Sequence, residues 1–167
     1  QAKGKGTVFN DQRVNWVVGT DIDHAQEQRQ SGNSTLGDKT SGSLKRNELN
    51  ETSNRDYFAQ ANWLLNERYT LTTGVRQSNV TLKSRDDYLA DGVNGSGSVS
   101  YKATSPVLGL TWHAQDNLNI YINQGKGFET PTMAEAAYSN TTTSVVGQFN
   151  PNLNARSEEH TSELQSR

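Results

Sequence analysis

The chain has 167 residues, of which 31% are hydrophobic, with a formal net charge of -2 and no cysteine. That length suits one ordinary domain, but a mean hydropathy of -0.85 leaves little apolar volume for a closed core. Either the chain is partly disordered or its apolar residues line one face of something extended. Balanced charge gives no basic footprint for nucleic acid, the lack of cysteine excludes disulfides and thiolate metal sites, and no apolar run approaches the roughly 20 residues of a membrane helix.

The elements, in chain order, show two-residue alternation. Val14, Trp16, Val18 and Ile22 share one face of a first strand, opposite Asn15, Gly19, Asp21 and Asp23, as a pleated strand with one greasy face requires. A soft polar segment over 30–54 follows. Tyr57, Ala59, Ala61, Trp63 and Leu65 then oppose Phe58, Gln60, Asn62 and Leu64. After a tight link at Asn66-Glu67-Arg68, Tyr69, Leu71, Thr73 and Val75 oppose Thr70, Thr72, Gly74 and Arg76. A second soft segment covers 86–98. Leu108, Leu110 and Trp112 oppose Gly109, Thr111 and His113, and after the tight link Gln115-Asp116-Asn117 the last strand sets Leu118, Ile120 and Ile122 against Asn119, Tyr121 and Asn123. From Gly127 onward the chain is again predicted to be loop.

Five strands, joined alternately by tight links and long soft segments, predict an all-β, antiparallel up-and-down meander. Short turns at one rim and long loops at the other describe a fragment of a transmembrane β-barrel better than a soluble domain, whose connections run to about 4 to 6 residues. Trp63 and Trp112 each precede a short link by three residues, and Trp16 lies early in its strand. All three take the apolar face, where with Tyr69 they would form a membrane-boundary girdle, since an indole ring is apolar and its N–H wants a polar partner. A soluble β-sandwich that binds a ligand would instead pack them in its core.

The segments Tyr57-Phe58-Ala59-Gln60-Ala61-Asn62-Trp63 and Leu71-Thr72-Thr73-Gly74-Val75-Arg76 resemble a hairpin of the TonB-dependent receptor barrels. Pro106 to Trp112 with Asp116 to Tyr121 resembles the next hairpin. Gly125-Lys126-Gly127-Phe128-Glu129-Thr130-Pro131-Thr132 is similar to that family's Gly-x-Gly-Phe-x-x-Pro-Thr segment, followed by Asn150-Pro151-Asn152-Leu153. There the family commonly continues into Lys-Pro-Glu, whereas this chain reads Asn154-Ala155-Arg156. The resemblance spans about 100 residues and is specific as a set. It implies transport across the bacterial outer membrane without catalysis, an N-terminal plug that this sequence lacks, energy from the TonB complex acting through that plug, and a siderophore, other iron chelate or other scarce nutrient as cargo. A passive porin or adhesin barrel is the neighbouring alternative.

For ligand contact the sequence offers Arg76, Tyr121, Lys126 and Phe128, because arginine and aromatic rings suit anionic, ring-bearing chelates. Other constellations fall short. Gly125-Lys126-Gly127 lacks the rest of a phosphate loop, Asp21, Asp23 and His24 lack a second ligand cluster, and Asp91-Gly92-Val93-Asn94-Gly95 lacks the closing glutamate of a calcium loop and reads as a plain turn. Asn33 and Asn94 begin Asn-x-Ser/Thr triplets of the kind polar loops generate freely. No catalytic site, metal site or cofactor is expected. Residues 156–166, Arg-Ser-Glu-Glu-His-Thr-Ser-Glu-Leu-Gln-Ser, resemble the in-frame translation of a common short-read sequencing adapter. The expected division is therefore 1–155 as partial barrel and 156–167 as a tail that is not native.

Overall fold

A computed structural model describes residues 1–8, 12–32, 44–137 and 149–163. Its elements are β1 (Ala2–Val8), β2 (Gln12–Gly32), β3 (Leu44–Leu64), β4 (Tyr69–Asp86), β5 (Gly97–Gln115), β6 (Leu118–Glu129), the short helix α1 (Met133–Ala137) and β7 (Arg156–Glu163). The strands form one antiparallel sheet in the order β1 to β7, each beside its sequence neighbour. The links 65–68 and 116–117 lie at one rim and 87–96 at the other. Among the described residues the sheet is open, with β1 and β7 as its edges.

The meander is as anticipated, but among the described residues it has seven strands rather than five. The sequence reading missed β1, took the residues of β7 as tail and read 30–54 as a soft segment. In fact β2 runs to Gly32 and β3 begins at Leu44, so what remains of the expected loop, Asn33 included, lies outside the described residues. The reason is that a polar stretch forms strand when its partner supplies the ladder and both faces stay wet, since strand propensity largely reports packing context. Here the amides help: Gln26 donates to Glu51 at 2.8 Å and Gln30 to Asn47 at 3.0 Å.

Register fixes two faces across the sheet. Val14 stands opposite Trp63, Trp63 opposite Leu71, Leu71 opposite Leu110, and Leu110 opposite Ile122. A second row runs through Trp16, Ala61, Thr73 and Leu108, and a third through Val18, Ala59, Val75 and Pro106. Every apolar alternation therefore lands on the same face, hereafter the outer face. That face is open: Ile22 is 66% exposed, Leu108 55% and Trp112 40%. The inner face carries Asn15, Gln60, Asn62, Thr72, Arg76 and Asn123.

A small apolar core lies on the inner face near the long-loop rim. Leu82, Tyr101, Ala136 and Phe149 are buried there, with Val80, Val99, Phe128, Met133, Leu153 and Ala155 packed around them. Pairing of β6 with β5 ends at Gly125, and beyond it β6 pairs only with β7. The chain after β6 thus folds back over β4 and β5. Gly97 permits this approach, because a Cβ there would overlap the Phe149 ring.

Candidate functional site

The segments Gly125 to Thr132 and Asn150 to Leu153, separate in sequence, meet at this core. Pro131 cannot continue the β6 ladder, and Thr132 then caps α1. The Glu135 N–H donates to Thr132 Oγ1 at 3.2 Å, and Thr132 N–H and Oγ1–H donate to Glu135 Oε2 at 2.7 and 2.9 Å. This is a reciprocal capping box, and the two donors hold the Glu135 carboxyl below the usual carboxylate range. At the other end of α1, Asn150 N–H donates to the Ala136 carbonyl at 2.7 Å. Tyr101 Oη–H donates to the Leu153 carbonyl at 2.9 Å. The Pro-Thr and Asn-Pro segments are thereby locked onto the inner wall. A cleft of about 660 Å³ opens beside them, lined by Glu129, Pro131, Glu135, Leu153, Asn154 and Arg156. The Thr-x-x-Glu spacing was visible in the sequence and could have announced this helix start.

The four expected ligand-contact residues do not converge. Arg76 lies on the inner face of β4, where its Nε donates to Asp56 Oδ2 at 2.9 Å, its Nη2 also donates to that carboxylate, and its Nη2 stands 3.5 Å from Asp21. Asn54 donates to the same Asp56 oxygen at 3.1 Å. Asp56 is buried, while Arg76 is half exposed. The guanidinium is therefore occupied by two carboxylates. Tyr121 also faces inward, opposite Thr111, whereas Arg76 is level with Ser105. Six residues of strand separate those levels, roughly 20 Å. Phe128 is half buried in the core, and Lys126 is exposed beside it on β6.

Asp21 is engaged by Arg76 across the sheet, and its neighbour His24 takes the opposite face. In the Asp91 turn the polar side chains hold their own backbone: Asp91 accepts from Val93 N–H, Asn94 from Ser96 N–H, and Asp86 from Tyr88 and Gly95 N–H. Gly92 takes φ 78°, a conformation that L side chains rarely adopt. Farther along β3, Arg46 pairs with Glu48 at 3.1 Å. Burial nevertheless dominates at Glu48 and raises its carboxyl above the usual range.

The aromatic residues near the short-link rim share the outer face. Tyr69 stacks on Trp112 with ring centroids 6.4 Å apart and planes 14° apart, and Trp63 Nε1–H donates to Thr73 Oγ1 at 3.0 Å. Trp16 lies over Gly4, its cross-strand partner. None of the three tryptophans is buried. The family model described as "TonB dependent receptor-like, beta-barrel" matches residues 3–160.

Proposed function

The chain belongs to the TonB-dependent receptor-like β-barrel family, and from that membership we propose that it forms part of the wall of a transporter that imports an iron chelate, a siderophore above all. The family works in the bacterial outer membrane, in TonB-dependent transport, and its members are transporters rather than enzymes. The observation that carries the reading here is the continuous outer face, apolar and open across β2 to β6, backed by a polar inner face. Lipid on one side and an aqueous lumen on the other account for both. Trp16, Trp63, Tyr69 and Trp112 would then sit at the periplasmic boundary of the membrane.

The inner wall beneath the long loops would meet the cargo, and Arg76 would brace that wall through Asp56 and Asp21. An N-terminal plug would couple the barrel to TonB. Uptake of radiolabelled ferric chelates by cells carrying the full-length gene, compared with a deletion strain, tests cargo and energy source together. Accumulation lost on deletion and lost again without TonB is the expected result. Uptake that persists without TonB would identify a passive barrel, and no chelate uptake under iron limitation would remove iron from the reading.

Residues 156–167 are proposed to be adapter-derived, on the strength of the string itself. Residues 156–163 pair with the free edge of β6, but a sheet edge accepts many sequences because its ladder bonds are made by backbone. Trimmed genomic reads across Ala155 decide this: continuation into Arg-Ser-Glu-Glu in genomic DNA would make the tail native.

A further inference from the structure

The inner face of β2 to β4 becomes acidic toward the long loops. It carries Asp21, Asp23, Glu27, Glu48, Asp56 and Asp86 against Arg29, Arg46 and Arg76. Arg76 is held by Asp56 and Asp21, and Arg46 by Oε1 of Glu48. Asp23 and Glu27 are exposed, about 13 Å apart along β2, and form no ion pair among the described residues. Glu129 and Glu135 add carboxylates at the cleft beside the docked segments, and the cation that lines this cleft, Arg156, falls within the residues proposed above to be adapter-derived.

Hydrogen bonding on the same face points to a ligand of the opposite sign. Glu27 stands opposite Asn50, and Glu48 is the next inner-face residue of β3. Asn50 is 4% exposed and Glu48 6%, yet neither Asn50 Oδ1 nor Glu48 Oε2 has a hydrogen-bond partner. Buried polar atoms are ordinarily satisfied, and both of these are acceptors. An ammonium group has three N–H donors and no acceptor. Glu27, Asn50 Oδ1 and Glu48 Oε2 supply three acceptors from neighbouring positions of one wall.

We propose that the inner wall beneath the long loops takes a ferric chelate that bears a protonated amine, received by Asp23, Glu27, Asn50 and Glu48. This rests on the iron-chelate reading above and narrows it. An acidic cleft between low-dielectric walls draws in cations and repels anions. A ferric trihydroxamate, neutral at the metal, with a pendant ammonium group is therefore favoured, and a ferric tricatecholate, a trianion, is disfavoured. Arg76 does not reverse the sign, because its charge is met by Asp56 and Asp21.

Calorimetric titration of the full-length protein in detergent tests this with three chelates: the ammonium-bearing ferric trihydroxamate, the same molecule with its amine acetylated, and a ferric tricatecholate. Acetylation removes the charge and leaves the iron centre as it was. The ammonium form is expected to bind about tenfold more tightly than the acetylated form, with the tricatecholate weakest. Asp23→Asn/Glu27→Gln should abolish the difference between the first two while the acetylated form binds as before. Should that variant fail to fold, added salt must weaken the ammonium form in the unaltered protein and leave the acetylated form unmoved. Equal binding of the first two chelates, or tightest binding of the tricatecholate, overturns the cationic cargo while leaving iron-chelate import intact. Binding of none of the three overturns both.

Discussion

At the scale of single residues, the ion pair between Asp56 and Arg76 is asymmetric in burial, and the asymmetry sets what each deletion costs. Arg76→Ala strands a buried carboxylate that keeps Asn54 as a donor but loses its counter-charge. Asp56→Ala strands a guanidinium that is half exposed, that water can reach, and that still faces Asp21. Arg76→Ala is therefore expected to destabilise the chain by about 3 kcal/mol and Asp56→Ala by about 1 kcal/mol. Urea unfolding in detergent, followed by tryptophan emission, would rank them, and the reverse order would mean that Arg76 is the less solvated partner. In the same pair Arg76, picked from the sequence as an anion contact, is engaged by carboxylates of the wall itself. Its strand and face were legible there, whereas Asp21 and Asp56, distant in sequence, become its partners only when register sets three strands side by side.

At the scale of elements, α1 is too short to persist alone and is held by its caps and by Ala136 in the core. Thr132→Ala removes the acceptor for Glu135 N–H and one of the two donors to Glu135, and is expected to cost about 1 kcal/mol of local stability. Hydrogen exchange at the Ala136 and Asn150 amides, which bond the Thr132 and Ala136 carbonyls, would show the loss. The pH dependence has a definite sign. Because the Glu135 pKa is lowered on folding, its contribution is present at neutral pH and is lost as pH falls through the depressed value. Protection at Asn150 should therefore fall on acidification relative to Glu135→Gln, whose amide still caps but does not titrate there. Parallel pH curves for the two proteins would rule out this role for the carboxylate. The strands β4 to β6 were visible because alternation is a local signal. The fold-back of α1 was not, because its apolar partners Leu82 and Tyr101 lie on strands that read as polar there.

At the scale of the whole molecule, one sheet separates two environments. Single-tryptophan variants retaining Trp16, Trp63 or Trp112 should each be quenched by brominated lipid, most strongly by lipid brominated near the headgroup. A tryptophan introduced at Gln60 or Asn62 on the inner face should be protected. A soluble sandwich would protect all three natural tryptophans equally, and that result would remove the membrane. The adjoining rows bring apolar and aromatic side chains of five strands together without a closed core, so the low apolar content suffices: only one face needs it.

The sequence by itself determined which face of each middle strand is apolar, where the short links fall and which family the chain resembles. These properties are carried by side-chain period and turn chemistry, which act over a few residues. Only the tertiary structure decided the extent of β2 and β3, the addition of β1, the occupation of Arg76 and the docking of the Pro-Thr and Asn-Pro segments on the inner wall. Those depend on which strand supplies the ladder and which side chain arrives from the next element, and pairings of that kind leave no local trace in composition.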